Sequence, residues 1–248
     1  MTIDLKTAII SDIHGNMQAL ERVWIDIEQN DVDTVVCLGD MVGYGPEPEA
    51  VVNFIIQQGI RAIAGNHELA VIDAGRLSEM SPDARASILI TRQLISAATR
   101  KYIDRLPRWL TQDDLYFVHG LPPDATSEYL TYVGANEVVT RMNSVDQQLI
   151  FVGHTHRPVI CSYDGKRLNT AVPAAGRTKL CKNRTYIVNV GSVGQPRDGD
   201  ARAKYMIMDT VAGTVELRCV AYDIHKTVDR IAALGFPANN GQRLFGYE

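Results

Sequence analysis

The chain has 248 residues, of which 46% are hydrophobic and 22% are charged, and its formal net charge is −4 at pH 7. This composition supports a substantial core and argues against both disorder and a protein that binds long nucleic acids. No apolar run approaches the roughly 18 residues that cross a bilayer, no signal-peptide pattern precedes residue 7 and the four cysteines form no Cys-x-x-Cys pair, so we expect a cytoplasmic protein without disulfides or a thiolate metal site.

The first part of the chain has the pattern of a strand, a helix and a second strand. Residues 7–10 and 35–38 are short apolar runs, and the segment between them places apolar side chains at helical spacing. Strands that alternate with helices pair in parallel, and both faces of their sheet are covered. In sheets of this kind, binding and catalytic residues collect where the strands end.

Polar residues follow the first three predicted strands. Asp12 and His14 come after the first strand, and Asp40 comes after the second. A third helix and strand unit ends in Asn66 and His67. Because Asp12 and His14 are two residues apart, their side chains leave an extended strand on the same side. Consecutive strand ends therefore deliver carboxylate, amide and imidazole groups, which suit divalent cations such as Mn, Fe or Zn.

The stretch from residue 69 to residue 113 has a helical pattern without strands. Ser81-Pro82 is a plausible helix start, and the segment between Asp83 and Arg108 is rich in arginine and lysine. Two interpretations are open for these cations: a solvated helix face, or a cap over the strand ends that brings an arginine to substrate phosphate. We interpret residues 69–113 as a helical cap inserted into a single domain that spans residues 1–248.

Two further strands are predicted in the middle of the chain. Residues 115–118 form an apolar run that ends at His119. Residues 149–152 form another, which ends at His154 and His156. The sixth histidine, His225, lies in a helical tail and is interpreted as a surface residue.

The last third of the chain has a different pattern. Four segments resemble an antiparallel meander that a helix near residues 223–234 closes; they are residues 159–163, 185–190, 204–208 and 214–222. Residues 172–182 give no readable pattern. We therefore expect an α/β fold, a four-layer α/β/β/α sandwich of two packed mixed β-sheets flanked by helices.

The strand-end residues together offer two carboxylates, one amide and four imidazoles. They are Asp12, His14, Asp40, Asn66, His119, His154 and His156. This set is too large for one tetrahedral ion and suits two ions about 3.5 to 4 Å apart that share a carboxylate and a water. Two cations leave a positive surplus that attracts a phosphoryl oxygen, and the shared water becomes the nucleophile near neutral pH. We expect Mn first, with Fe, Zn, Co or Ni as alternatives.

The order of these motifs resembles a known family. Asp-x-His, Gly-Asp, Gly-Asn-His-Glu, a single His-Gly and Gly-His-x-His follow one another from Asp12 to His156, as in the calcineurin-like metallophosphoesterases. Residues 189–198, Asn-Val-Gly-Ser-Val-Gly-Gln-Pro-Arg-Asp, are similar to the tail motif of the small bacterial and archaeal phosphodiesterase branch. The resemblance covers most of the chain.

The resemblance implies a binuclear, metal-dependent phosphoesterase and a role for each strand-end residue. One metal would be held by Asp12, His14 and His156 and the other by Asn66, His119 and His154, with Asp40 as the bridge. His67 would not be a ligand but the catalytic residue that stabilises or protonates the leaving group. An imidazole suits general acid chemistry near pH 7.

One position departs from the motif of related enzymes. Protein Ser/Thr phosphatases and symmetrically cleaving dinucleoside tetraphosphatases resemble Gly-Asp-x-Val-x-Arg-Gly, and here Tyr44 stands where the phosphate-binding arginine belongs. Protein phosphatases also carry an arginine where this chain has Ala64. A phenol does not replace a planar guanidinium, which favours phosphodiester or phosphoanhydride bonds in a small phosphorylated or nucleotide-like substrate. We expect substrate contacts from Asn16, Tyr44 and Arg197.

Alternatives remain open at this stage. One is a phosphomonoesterase or protein phosphatase of the same superfamily. Another is a non-catalytic scaffold that kept the fold, although every ligand position is filled here. Arg197 and Asp198 could bind substrate or simply tie down their loop. Neither the physiological substrate nor the formation of a homo-oligomer follows from the sequence.

Overall fold

The computed structural model describes residues 5–246 and, within them, twelve β-strands and eight α-helices. The strands are β1 (Lys6–Ile10), β2 (Thr34–Cys37), β3 (Arg61–Ala62), β4 (Trp109–Gln112), β5 (Leu115–Val118), β6 (Leu149–Val152), β7 (Val159–Tyr163), β8 (Leu168–Ala171), β9 (Gly176–Lys179), β10 (Thr185–Asn189), β11 (Ala203–Asp209) and β12 (Thr214–Val220). The helices are α1 (Met17–Glu28), α2 (Pro48–Gln57), α3 (Asn66–Ile72), α4 (Pro82–Leu94), α5 (Ala97–Ile103), α6 (Ala135–Met142), α7 (Ile224–Ala233) and α8 (Ala238–Arg243).

The strands form two mixed sheets of six. The order in the first sheet is β3-β2-β1-β11-β12-β9, and in the second it is β4-β5-β6-β10-β7-β8. In the first sheet β1, β2 and β3 are parallel, and in the second β5, β6 and β10 are parallel. The remaining pairs are antiparallel.

The core lies in three layers. A central cluster that includes Ile9, Phe117, Phe151 and Met206 joins the inner faces of the two sheets. Since side chains alternate along a strand, the neighbours of Ile9 point outward and pack under α1 and α2. Helix α6 covers the outer face of the second sheet. This confirms the predicted α/β/β/α sandwich of two packed mixed sheets.

The helical stretch after β3 packs beside the ends of the parallel strands. As predicted, α4 follows Ser81-Pro82, and the Ser81 hydroxyl accepts a hydrogen bond from the Ala84 N–H. The C-terminal helices pack against α4 through an apolar cluster. Asn240 of α8 donates hydrogen bonds to the Tyr44 carbonyl and to Ser87 of α4. The tail of the chain thereby connects the helical stretch to the loop that follows β2.

Two predictions about strands are wrong. The stretch 69–113 is not helical throughout, because residues 109–112 form β4 at the edge of the second sheet. The last third is not one meander, because β10 joins the second sheet and β11 joins the first. Residues 172–182, for which no element was predicted, contain β9, and β8 directly precedes them. Within residues 5–246, no helix has both the length and the apolar character needed to cross a bilayer.

Candidate metal centre

Most of the candidate site residues lie in loops that follow the parallel strands, whereas Asn66 and His67 are the first residues of α3. Several of these residues have a left-handed backbone, which is uncommon outside glycine; they are Asp12 (φ 54°), His14 (φ 49°), Asp40 (φ 50°), Tyr44 (φ 57°), His154 (φ 66°) and His156 (φ 59°). In the described part of the chain, only Asp31 and Asp113 share this backbone without being glycine. Strained backbone of this kind clusters at functional sites because the surrounding structure must hold it.

Two glycines let these loops approach one another. A Cβ on Gly65 would overlap Oδ1 of Asp40. A Cβ on Gly153 would overlap the side chains of Ser11 and Asp12. The motifs Gly-Asn-His-Glu and Gly-His-x-His therefore begin with glycine because a carboxylate from a neighbouring strand end occupies the space of a side chain.

One group of candidate ligands gathers around Asp12. Nε2 of His156 lies 3.2 Å from Oδ1 of Asp12, and Nε2 of His14 lies 3.8 Å from the same oxygen. The two Nε2 atoms are 3.1 Å apart. All three side chains are buried, and they come from the ends of β1 and β6. A divalent ion could be held by these three groups.

A second group gathers around Asp40. Nε2 of His119 lies 3.3 Å from Oδ2 of Asp40 and 3.2 Å from Oδ1 of Asn66. Asp40, His119 and His154 form a further set of groups close enough to hold an ion. Oδ2 of Asp40 is also 3.8 Å from Nε2 of His14. The Asp40 carboxylate therefore lies between the two groups of candidate ligands.

Backbone carbonyls orient three of the imidazoles. Nδ1 of His14 lies 3.0 Å from the Val42 oxygen, Nδ1 of His119 lies 2.7 Å from the Leu38 oxygen, and Nδ1 of His156 lies 2.6 Å from the Gln195 oxygen. A carbonyl oxygen can only accept, so each Nδ1 carries the proton and donates it. This arrangement turns every Nε2 toward the interior of the site, as in metal-ligating histidines.

The donor atoms inside the site suit cations. In the neutral rings of His14 and His156, the two facing Nε2 atoms are both acceptors. Oδ1 of Asp12 and Nε2 of His154 are buried without a hydrogen-bond partner among the described residues. Buried acceptors that converge without donors are costly unless a cation satisfies them. The side chains present therefore fit divalent metal ions.

The pKa shifts of three candidate ligands, Asp40, Asp12 and His154, favour the protonation states that bind metals. Burial raises the pKa of Asp40, but the neighbouring His119 and His67 outweigh it and hold the pKa well below its usual range. Burial likewise opposes ionisation of Asp12, and His156 and His119 overcome it, which lowers its pKa. Burial lowers the pKa of His154 to about 3. Ionised carboxylates and neutral imidazoles are the forms that coordinate metals.

His119 differs from the other rings. Burial lowers its pKa, but the Asp40 carboxylate more than offsets this and raises the pKa to about 9. Its two ring nitrogens face the Leu38 carbonyl on one side and Asp40 on the other. A positive charge is therefore favoured beside Asp40.

His67 lies at the edge of the Asp40 group. Its backbone N–H donates to Oδ1 of Asp40 at 2.9 Å, and its Nε2 lies 3.9 Å from Oδ2. Together with His14 and Asp40 it forms a third set of groups close enough to hold an ion. Burial lowers the pKa of His67 to about 4, so the neutral ring, which still donates one N–H, predominates at pH 7. Its assignment as the leaving-group residue stays a prediction.

Glu68 has a structural role that was not predicted from the sequence. Its buried carboxylate accepts hydrogen bonds from the backbone N–H groups of Asp40, Met41, Val42 and Gly65, at 2.6 to 3.2 Å. It fixes the loop after β2 to the turn before α3. The signal was present in the motif Gly-Asn-His-Glu, but its partners are backbone groups distant in sequence.

A cleft of about 120 Å³ opens beside the candidate ligands. The residues that line it include Asp40, Asn66, His67, His154 and His156. Tyr44, Tyr129, Arg76 and Arg197 are among the other residues that line it. The cleft is the space through which a substrate can reach the donor atoms.

Two aromatic residues form part of the cleft wall. The ring of Tyr129 stacks on His154 with 3.9 Å between ring centres. The ring of Tyr44 lies 4.7 Å from His67 and from His14. Tyr129 was not predicted as a site residue, because it lies in a loop without a recognisable motif.

The arginines of the helical stretch have different environments. Arg92 and Arg100 donate hydrogen bonds to backbone carbonyls of α3, which is a structural role. Arg76, from the 3-10 turn at Ala74–Glu79, lines the cleft. Arg76 precedes the basic segment between Asp83 and Arg108, and no arginine or lysine of that segment is among the residues that line this cleft. The contact of a cap arginine with substrate phosphate therefore stays a prediction.

The predicted substrate contact from Asn16 is corrected. Its Nδ2 donates to the Gly194 carbonyl and to the Tyr222 hydroxyl, and its Oδ1 accepts from Ala19 and Thr227. Asn16 caps α1 and is buried. No hydrogen-bonding group of its side chain is left for a substrate. His225 is exposed, as predicted.

Comparisons with known proteins agree with this fold and site. The family model of the calcineurin-like phosphoesterase superfamily domain matches residues 5–213. An uncharacterised protein of Methanocaldococcus jannaschii is 35% identical over 96% of both chains. A symmetrical bis(5'-nucleosyl)-tetraphosphatase of Delftia acidovorans is 28% identical over 69% of this chain and 66% of that protein. The crystal structure of a metallophosphoesterase from Sphaerobacter thermophilus has a TM-score of 0.85 and 35% identity, and the match covers 98% of both chains.

The α/β/β/α sandwich with histidine and aspartate side chains gathered at its strand ends defines a metal-binding hydrolase. The chain belongs to the calcineurin-like phosphoesterase superfamily. It is a phosphoester hydrolase.

Proposed function

We propose that this protein is a binuclear metal-dependent phosphoesterase that hydrolyses phosphodiester or phosphoanhydride bonds of small, nucleotide-like substrates. The observation that carries the proposal is the convergence of buried acceptors on either side of Asp40. Nε2 of His14 faces Nε2 of His156 at 3.1 Å, and Oδ1 of Asp12 has no hydrogen-bond partner among the described residues. Two cations satisfy such a set better than one.

We assign the ligands as the family resemblance suggests. Asp12, His14 and His156 would hold the first ion and Asn66, His119 and His154 the second, and Asp40 would contact both. When bound, the pair of ions supplies Lewis acidity and an activated water. We expect Mn first, with Fe, Zn, Co or Ni as alternatives. We assign His67 to the leaving group, because it lines the cleft beside the candidate ligands and an imidazole can donate an N–H to the departing oxygen.

The substrate class rests on the cleft and on one relative. A cleft of about 120 Å³ accepts a phosphoryl group and its immediate surroundings. The similarity to a symmetrical bis(5'-nucleosyl)-tetraphosphatase makes a dinucleoside polyphosphate one candidate substrate. Tyr44 stands where protein Ser/Thr phosphatases, like the symmetrical tetraphosphatases, have an arginine. We therefore favour phosphodiesters and phosphoanhydrides as substrates over phosphoproteins.

The test combines metal content with ester hydrolysis. Purified protein is stripped with a chelator, reconstituted with Mn, Fe, Zn, Co or Ni, and assayed on bis(p-nitrophenyl) phosphate and on a panel of dinucleoside polyphosphates. We expect about two ions per chain and activity that depends on them. Asp40→Asn should lose metal and activity, and His67→Ala should lose activity and keep metal.

The matched control is His225→Ala, because His225 is an exposed histidine on α7. It should keep both metal and activity. Full activity of the stripped protein would overturn the proposal.

A further inference from the structure

An arginine from the tail motif lies against the tyrosine that replaces the usual arginine. The guanidinium carbon of Arg197 is 5.6 Å from the centre of the Tyr44 ring. This is within the range of a cation–π interaction, in which the ring face attracts the cation. Tyr44 itself is held by Asn240, which donates to its carbonyl at 2.9 Å. The ring itself packs against the rings of His14 and His67, with 4.7 Å between ring centres in each pair. These contacts make it a fixed support for the guanidinium.

Arg197 is anchored beside the candidate ligands. Its backbone N–H donates to the carbonyl oxygen of His156 at 3.2 Å. Its side chain lines the same cleft as His67 and His154. A group bound in this cleft is thus close to both the guanidinium and the candidate metal ligands.

The guanidinium lacks a negatively charged partner. Nη2 donates to the neutral Oε1 of Gln195 at 2.9 Å, whereas Nε is buried without a hydrogen-bond partner among the described residues. The neighbouring Asp198 pairs with the buried Lys204 at 2.9 Å, and within residues 5–246 no carboxylate forms an ion pair with Arg197. A buried N–H group without an acceptor requires an explanation.

We propose that Arg197 binds a non-bridging oxygen of the substrate phosphoryl group, and that the Tyr44 ring holds its guanidinium in position. This inference rests on the proposed function. Arg197 then supplies the guanidinium that the loop after β2 lacks, from a segment some 150 positions later in the chain. Tyr44 is a positioning residue, not a substrate ligand. Asp198 ties down the loop through Lys204.

Phosphate binding tests the inference without turnover. Inorganic phosphate is titrated calorimetrically into manganese-reconstituted wild-type protein and into Arg197→Ala, Arg197→Lys, Tyr44→Phe and Tyr44→Leu. Arg197→Ala should bind phosphate roughly 10- to 100-fold more weakly than the wild type, because it loses a charge-assisted hydrogen bond. Tyr44→Phe keeps the ring face and should bind as the wild type does, whereas Tyr44→Leu should bind several-fold more weakly.

The control is Arg167→Ala, which removes the same charge from an exposed turn between β7 and β8. This turn lies at the far end of the second sheet, because Tyr163 pairs with Thr185 at the start of β10. Metal content and thermal midpoint are measured for every variant. If Arg197→Ala does not fold, Arg197→Lys is the deciding variant. The lysine ammonium should bind phosphate several-fold more weakly than the planar guanidinium of arginine.

The result that overturns the inference is phosphate affinity in the Arg197 variants equal to that of Arg167→Ala. Ester hydrolysis by the same proteins is recorded separately. If wild-type protein binds phosphate through Arg197 and hydrolyses no ester, the proposed function fails and the inference stands. A second outcome is that the wild-type protein hydrolyses esters, while Arg197→Ala has the same KM and the same phosphate affinity as the wild type. In that case the inference about Arg197 fails and the proposed function stands.

Discussion

Glu68 is a buried carboxylate whose oxygens are occupied by backbone N–H groups. It accepts from Asp40 and Gly65 through one oxygen and from Met41 and Val42 through the other. Burial and the nearby Asp40 carboxylate raise its pKa to about 7, while the backbone N–H groups of Gly65 and Asp40 oppose the rise. The position of Asp40 therefore depends on a side chain that is itself outside the candidate ligand set.

Replacing this carboxylate should disturb the metal centre. In Glu68→Gln, the new NH₂ group faces N–H donors instead of accepting from them. We expect the free energy of unfolding to fall by about 2–3 kcal/mol and manganese binding to weaken, because the Asp40 loop is no longer fixed. Thermal denaturation and a manganese titration measure the two effects.

Glu49→Gln is the control for this change, since Glu49 of α2 also accepts a backbone N–H, from Ser96 at 2.9 Å, but in an exposed hydrogen bond. It should lower stability slightly and leave manganese binding intact. Wild-type manganese affinity in Glu68→Gln would show that the Asp40 loop holds its position without the carboxylate.

At the residue scale, chemistry was easier to predict than conformation. The alternation of an extended strand predicted that Asp12 and His14 point to the same side. In fact β1 ends at Ile10, and both residues have a left-handed backbone. Their side chains still come together, with 3.8 Å between Nε2 and Oδ1. The sequence shows that Asp12 and His14 follow a strand. The conformation of their loop depends on contacts with backbone segments that are distant in the sequence.

At the scale of elements, a carboxylate on α1 joins this helix to the first sheet. Asp26 accepts hydrogen bonds from the guanidinium of Arg218 at 2.7 and 3.0 Å and from the hydroxyl of Tyr205 at 2.7 Å. Partial burial raises the pKa of Asp26, but these bonds outweigh it and hold the pKa below its ordinary value. The ionised form of Asp26 therefore stabilises the folded protein.

This linkage predicts a pH-dependent effect of Asp26→Asn. A lowered pKa contributes stability that is present above the unfolded-state value near 4 and is lost as pH falls through the folded-state value. We expect the variant to unfold with about 1 kcal/mol less free energy at pH 7. The difference should stay constant down to about pH 5 and shrink below about pH 4.

Denaturant unfolding of both proteins between pH 3 and pH 8 checks this. Asp229→Asn, which changes an exposed carboxylate on α7, should show little difference at any pH. A difference for Asp26→Asn that persists unchanged at pH 3 contradicts the linkage.

Elements with continuous apolar runs were predictable, and three of the four edge strands of the two sheets were not. β1, β2, β5 and β6 are central or nearly so, and their buried residues form unbroken runs in the sequence. In β4, β8 and β9 exposed residues interrupt the pattern. The assignment of β10 and β11 to different sheets also has no local signal, because only the packing of the two sheets decides it.

At the scale of the whole molecule, the two sheets meet in an apolar core, to which the second sheet contributes the stacked rings of Phe117 and Phe151. Phe117 and Phe151 are fully buried, and their ring centres are 5.7 Å apart. Phe117→Ala should lower the free energy of unfolding by about 3–5 kcal/mol, because it removes contacts and leaves a cavity.

Urea unfolding measures this loss of stability, and the exposed Phe245→Ala is the matched comparison. The metal stoichiometry of the folded fraction of Phe117→Ala should stay at the wild-type value. A loss of stability as small as that of Phe245→Ala would mean that the inter-sheet core closes around the missing ring.

The candidate metal centre spans the same two sheets. Asp12, His14, Asp40 and Asn66 follow strands of the first sheet, and His119, His154 and His156 follow strands of the second. In the proposed assignment each ion has ligands from both sheets. Metal binding should therefore stabilise the packing of the sheets as well as the site.

Removal of metal should lower the melting temperature of the wild-type protein. At a free ion concentration about 100 times the dissociation constant, binding adds about 2.7 kcal/mol, or roughly 5–10 °C for a chain of this size. Calorimetric melts are recorded in chelator and in rising manganese. His119→Ala, which removes one ligand from the second sheet, should lose most of the increase, whereas His225→Ala should keep it. An equal melting temperature with and without manganese would mean that no ion joins the two sheets.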